Sequence, residues 1–207
     1  MKLDWKKTDK AYYLPGTEPE LVKVPAFKFF AIRGAGDPNE PGFQDYMAVL
    51  YSLAYAVRMS PKSDTAPAGY LEYSVFPLEG VWDVSEEAKA RGDAKPSKSD
   101  YVFDLMIRQP DFVTEEYALS VIDRTKAKKP LPRLDQARFS VVEEGPCVQM
   151  MHIGPYDSEP ASFARMEAFC AARGLRRLSK VHREIYMSDP RRTAPEKLRT
   201  VLRFRVR

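Results

Sequence analysis

The apolar residues change period several times along the chain, and each change predicts an element. Val24-Pro25-Ala26-Phe27-Lys28-Phe29-Phe30-Ala31-Ile32-Arg33 is β-branched and aromatic and stops at Gly34-Ala35-Gly36, the pattern of a strand entering a turn. From Phe43, apolar positions at Met47, Leu50, Tyr51, Ala54 and Val57 follow helical spacing until Pro61. Tyr70 to Phe76 and Tyr101 to Ile107 predict strands. Residues 85–100 hold no large apolar side chain and predict a mobile surface loop. A second helix starts at Thr114, a capping residue followed by Glu115 and Glu116. Its stripe is Tyr117, Ala118, Val121 and Ile122, and Lys126, Lys128 and Lys129 precede the stop at Pro130.

The second half repeats this plan. Phe139 to Glu144 and Cys147 to Ile153 predict strands about a turn at Gly145-Pro146. A helix follows, with Phe163, Met166, Phe169 and Cys170 inward and Gly174 past its end. Val181 to Met187 predicts another strand, with Val181, Ile185 and Met187 on the face suited to helix packing. Thr193-Ala194-Pro195-Glu196 has capping-box spacing. At the end, Leu202, Phe204 and Val206 alternate with Arg203, Arg205 and Arg207, as in a strand with one wet face. The halves also match in detail. Ile32, Gly34, Asp37, Glu40-Pro41 and Phe43 are echoed by Ile153, Gly154, Asp157, Glu159-Pro160 and Phe163. Two strand–helix–strand–strand modules of an α+β protein, with antiparallel sheets and a concave site between them, are therefore expected.

Composition narrows the class. The chain has 207 residues, 44% of them hydrophobic, which excludes wholesale disorder. The 33 Lys and Arg against 29 Asp and Glu leave a net charge of +4, spread along the chain, which permits weak contact with nucleic acid or anionic lipid but does not demand it. No apolar run approaches the roughly 20 residues of a membrane span. The start, Met1-Lys2-Leu3-Asp4-Trp5-Lys6-Lys7, lacks a signal-peptide pattern. Cys147 and Cys170 make no disulfide framework. A soluble cytoplasmic protein is expected.

Most candidate chemistry dissolves on inspection. Gly34-Ala35-Gly36 lacks the third glycine of a dinucleotide turn and the Gly-Lys-Ser/Thr of a phosphate loop. His152 and His182 share no metal-ligand spacing with either cysteine, so no metal or cofactor is expected. Cys170, on an apolar helix stripe, reads as an inert buried thiol. Glu184 stands apart. It lies mid-strand and shares a face with His182 and Tyr186 by period two. Two readings stay open: a solvent-facing Glu on a one-sided sheet, or a carboxylate in an aromatic hollow whose desolvation suits acid–base work or a cationic ligand. The aromatics Tyr70, Tyr73, Phe76, Trp82, Tyr101 and Phe103 crowd the strands expected beside it and favour the second.

Four stretches together resemble a known family. They are Leu78-Glu79-Gly80-Val81-Trp82, Leu105 through Glu116 (LMIRQPDFVTEE), Glu144 through Tyr156 (EGPCVQMMHIGPY) and His182 through Leu198 (HREIYMSDPRRTAPEKL). From about residue 20 to the end the chain resembles stand-alone members of the GyrI-like small-molecule-binding family. The resemblance implies two pseudo-symmetric modules flanking a ligand cleft. These are one module over about 21–112, a connecting helix over about 113–129 and a second module over about 137–207, behind a tail at 1–20. Relatives serve as drug-sensing halves of transcription activators, where a buried Glu among aromatics meets cationic drugs. Some stand-alone members hydrolyse the cyclopropane ring of DNA-alkylating natural products. The resemblance carries over Glu184 and Tyr186 as catalytic candidates and Trp82 as a ligand contact, beside Tyr101, Phe103, Tyr70, Tyr73 and His182. This chain departs from the family pattern at Asp83, Tyr101 and Phe103, where relatives tend to have Trp. Without a helix-turn-helix ahead of the domain, a complete transcription activator is not expected.

The expected function is therefore binding of lipophilic or cationic xenobiotics in an aromatic cleft, with cyclopropane hydrolysis as its enzymatic form. The alternative is a non-catalytic sensor or protein-interaction module, such as a gyrase regulator. The expected partners are a small molecule and a second copy in a homodimer, with no direct contact to nucleic acid and no membrane.

Overall fold

A computed structural model describes residues 2–92 and 96–207. In chain order its elements are β1 (Lys2–Leu3), α1 (Trp5–Thr8), α2 (Lys10–Tyr13), β2 (Glu20–Ala35), α3 (Phe43–Arg58), β3 (Glu72–Tyr73) and β4 (Leu78–Val84). They continue with α4 (Glu86–Arg91), β5 (Tyr101–Gln109), α5 (Glu115–Lys128), β6 (Arg138–Ile153), α6 (Glu159–Ala172), β7 (His182–Tyr186) and β8 (Arg199–Arg205). The chain divides into two compact units: residues 1–4 with 27–142, and residues 5–26 with 143–207.

In the first unit β5 lies between β2 and β4, antiparallel to both, with Phe103 opposite Gly34 on one side and Trp82 on the other. Ile32, Leu105 and Ile107 are fully buried, as are Val49, Leu50, Leu53, Ala54 and Val57 of α3. The buried stripe of α3 is thus rotated slightly from the expected one: Tyr51 is exposed, because Leu53 and Val49 supply the inward contacts instead. Gly34 is required by close approach. A Cβ there would run into the rings of Phe103 and Tyr46. Helix α5 begins as expected, with the Thr114 hydroxyl accepting the Tyr117 N–H at 3.1 Å.

In the second unit β8 lies between β6 and β7, again antiparallel to both. The order first strand, last strand, middle strand is therefore the same in both units, and each has a helix between its first and middle strands. Val148, Met150, Leu202 and Phe204 pack with Met166 and Cys170 of α6. A charged network is buried with them. Arg183 and Arg203 both reach Glu144, at 3.0 and 2.9 Å, and Arg203 also binds the Gln149 carbonyl and the backbone carbonyl of Tyr12. Burial opposes the charge of Glu144, but the two guanidiniums outweigh it and hold its carboxyl below the ordinary range.

Several expectations need correction. Residues 5–13, expected as tail, form α1 and α2, with Trp5 and Tyr13 buried ring against ring at 5.3 Å. The Gly16 carbonyl accepts from Met151 N, so the polar surroundings of these residues concealed an anchored segment. Gly145-Pro146 does not end a strand. Gly145 (φ +70°) bends β6, and the Pro146 carbonyl still accepts from Val206 N at 3.0 Å. Part of the expected loop is helical: Ser85 caps α4, while residues 93–95 lie outside the described residues. The strand expected over 70–76 shrinks to the two residues of β3, which pair in parallel with β1. The Thr193 capping box does not form, since the turn at Pro195–Lys197 has no side-chain cap.

Candidate functional site

Strand β7 presents His182, Glu184 and Tyr186 on one face, while Arg183 and Ile185 point the other way and are buried. Glu184 pairs with Leu202 and Tyr186 with Thr200, and Leu202 packs on α6. The Glu184 face is therefore the one covered by the helix. This reverses the expected assignment of Ile185 to that role. Both faces of β7 are shielded, so a two-residue period separates them but cannot say which one meets the helix.

That geometry folds the polar groups together. The Tyr186 hydroxyl donates to Glu184 Oε2 at 2.8 Å, and His182 Nε2 lies 3.1 Å from Glu184 Oε1. The Glu184 side chain keeps 12% of its surface exposed and that of His182 keeps 22%. Phe163 meets the His182 ring edge-on at 4.8 Å, and Tyr156 meets Tyr186 edge-on at 6.1 Å. Two groups at this centre were not singled out from the sequence. Glu159, in the first turn of α6, is buried beside Glu184. Burial first, then the Glu184 charge, raise its carboxyl far above the ordinary range. Burial, then Glu184 and Glu159, also push the Tyr156 phenol up to about 12. The signal was present in Glu159-Pro160, since a proline opening a helix fixes the preceding residue at its entrance.

The remaining candidates lie in the first unit. Trp82 and Phe103 are buried, their rings 5.1 Å apart, with Phe43 and Tyr46 closing the cluster; Tyr101 is half-buried against Trp82 at 5.9 Å. Tyr73 is 1% exposed and packs against Phe76 and Phe112, the setting of a core side chain. Tyr70 donates to the Arg58 carbonyl at 2.7 Å and lies tilted against Phe112, ring centroids 5.3 Å apart.

His152 is absorbed by structure, its ring nitrogens meeting Ser162 Oγ at 2.9 Å and Ser158 Oγ at 3.2 Å. Burial pushes the Cys147 thiol up to about 12 and raises that of Cys170, so neither is an activated nucleophile. Among the described residues no cluster of three His, Cys, Asp or Glu is arranged for a metal ion, and no helix is long and apolar enough to cross a membrane. Two surface cavities of about 420 and 310 Å³ lie beside Cys170 and Arg177, and beside Phe112 and Tyr117. Neither is lined by Glu184.

Comparison with known proteins places this geometry in a family context. The sequence pattern of the GyrI-like small molecule binding domain matches residues 17–207. A hydrolase from Listeria innocua is 38% identical with a TM-score of 0.90, each chain covered in full. An uncharacterized conserved protein from the same organism is 37% identical, again with full coverage and a TM-score of 0.90. The C-terminal domain of EcmrR shares the fold at 13% identity and a TM-score of 0.56, over 92% of this chain and 97% of that one. No curated protein matches.

Proposed function

Because this chain belongs to the GyrI-like small-molecule-binding family, we propose that its Glu184 centre receives a lipophilic or cationic small molecule and hydrolyses those that carry a strained ring, such as cyclopropane-containing DNA-alkylating compounds. One observation carries the reading. A half-shielded carboxylate is held by Tyr186 at 2.8 Å and His182 at 3.1 Å, with aromatic rings on either flank. An anion in partly desolvated surroundings attracts a cation strongly, and the rings suit a flat, apolar body.

For a strained ring, Glu184 takes a proton from water as its oxygen bonds to the ring carbon. The broken C–C bond leaves its electrons on a conjugated oxygen of the substrate. Tyr186, which donates to Glu184 at rest, is the donor that such an oxyanion would draw. The hydrolase from Listeria innocua, matched over the full length of both chains, supports the enzymatic form. Trp82 enters as a stacking candidate through the family resemblance, and Tyr101 and Phe103 through the aromatic crowding of their strands. Of these, Tyr101 is the half-buried one, so Tyr101→Ala tests stacking without opening a core.

The deciding experiment measures affinity and turnover on Glu184→Gln. For a neutral strained-ring substrate, turnover falls by about 10²–10⁴-fold while affinity changes little, since Gln keeps the shape but accepts no proton. For a cationic ligand, affinity itself falls. Binding without turnover in the parent protein makes it a sensor module. Unchanged affinity and turnover in the variant would show that Glu184 is the wrong residue.

A further inference from the structure

Two carboxyl groups meet at this centre, and two carboxylates brought together out of water cannot both keep their charge. Glu159 is 6% exposed, with the Glu184 carboxyl beside it. Glu184 has polar partners on both oxygens: Tyr186 donates to Oε2 at 2.8 Å and His182 lies 3.1 Å from Oε1. Glu159 has no such support. Its Oε1 finds no hydrogen-bond partner among the described residues, and the charged groups acting on it, Glu184 and Asp157, are both acidic. The N-terminus of α6 favours an anion there, but that effect is smaller than the desolvation of a carboxylate. The proton therefore resides on Glu159.

Other titratable groups around the pair do not change this count. Tyr156, from the turn before α6, is a neutral phenol. His152, from β6, has its ring nitrogens on Ser162 and Ser158. Asp189, beyond β7, is tied to Arg191 at 2.9 Å. We propose, resting on the small-cation reading above, that Glu159 and Glu184 hold one proton between them, so that the centre presents a single negative charge, takes a monocation as it stands, and takes a dication only by releasing that proton. The charges balance in each case. One carboxylate meets one positive charge, or Glu159 gives its proton to solvent and two carboxylates meet two.

Ethidium and propidium test this directly, because they share a ring system and carry one and two permanent charges. Fluorescence titrations belong between about pH 7.5 and 9, above the ordinary histidine range near 6.5. Propidium affinity is expected to rise by up to about tenfold per pH unit, with one proton released per dye, and ethidium affinity to stay flat. Glu159→Gln is expected to erase the propidium slope. Propidium binding without a slope, or ethidium binding with one, overturns the shared proton. The ligand-free protein gives an independent measure. Near pH 7 its infrared spectrum should show the carbonyl stretch of a protonated carboxyl, lost in Glu159→Gln, and the absence of that band also overturns the proposal. Failure of both dyes to bind, or ethidium binding that Glu184→Gln leaves unchanged, would instead sink the small-cation reading; the infrared band would still decide the proton.

Discussion

In the first unit the aromatic that opens the long helix, Phe43, stacks on Trp82 at 6.2 Å and meets Phe103 edge-on at 5.2 Å. In the second, Phe163 stacks on Phe204 at 6.4 Å and meets His182 edge-on at 4.8 Å. The same three stations recur: helix start, middle strand and last strand. What differs is the middle strand. In the first unit it offers Trp82 and the cluster closes as an apolar core. In the second it offers His182, then Glu184 and Tyr186, and the same scaffold holds a polar centre. The Glu-Pro echo makes the contrast sharper, because Glu40 is exposed while Glu159 is buried against Glu184. A duplicated plan thus fills this station with an apolar ring in one module and with polar groups in the other, while the first unit buries its own charges, Glu79 and Arg108, elsewhere.

The apolar side of that comparison should break most visibly. Phe103→Ala removes a ring that is 3% exposed and contacts Phe43, Tyr46 and Trp82. A loss of about 3–5 kcal/mol in a urea melt is expected. A loss below about 1 kcal/mol would mean the cluster is loose rather than a core. Gly34→Ala should cost less, about 1–3 kcal/mol, because the new methyl meets Phe103 and Tyr46 and the rings must shift. Combining it with Phe103→Ala should recover part of that cost, since the cavity admits the methyl; strict additivity would place the strain elsewhere.

The polar side is probed more gently, through pH. The folded-state proton affinity of Glu159 is raised above its unfolded value of 4.5. Above that value the unfolded chain loses its proton while the folded chain keeps it, so the parent loses stability as pH rises toward the folded value. Glu159→Gln has no proton to lose. Its stability relative to the parent should therefore grow from about pH 5 to 9, by at most about 1.4 kcal/mol per pH unit. Parallel stability curves for the two proteins across that range would remove the buried acid from the picture.

The local grammar of the chain was readable where one residue decides one interaction. Thr114 does cap α5, and Gly174 (φ +67°) does follow the end of α6. The strand at Tyr101–Gln109 and the repeated strand–helix–strand–strand order emerge as read from periodicity. Glu184 was reachable because a carboxylate among β-branched and aromatic residues is unusual in a strand. Its partner was not. Glu159 and Glu184 are 25 positions apart, on different elements, and no local rule pairs them. The same limit hid Trp5 and Tyr13, whose burial depends on each other and on the strand beside them.

The sequence by itself determined the long helices at α3, α5 and α6, the strands at β2, β5, β7 and β8, that the plan is repeated, and that Glu184 shares a face with His182 and Tyr186. These follow from steric preferences, hydrogen-bonding termini and the two-residue period of a strand, all of which act within a few residues. Only the tertiary structure decided that this face lies under α6, that Gly145 bends a strand instead of ending it, and that Glu159 is desolvated against Glu184. Burial and charge pairing depend on which surfaces meet, and a carboxyl gains or keeps its proton according to neighbours that the chain brings together only on folding.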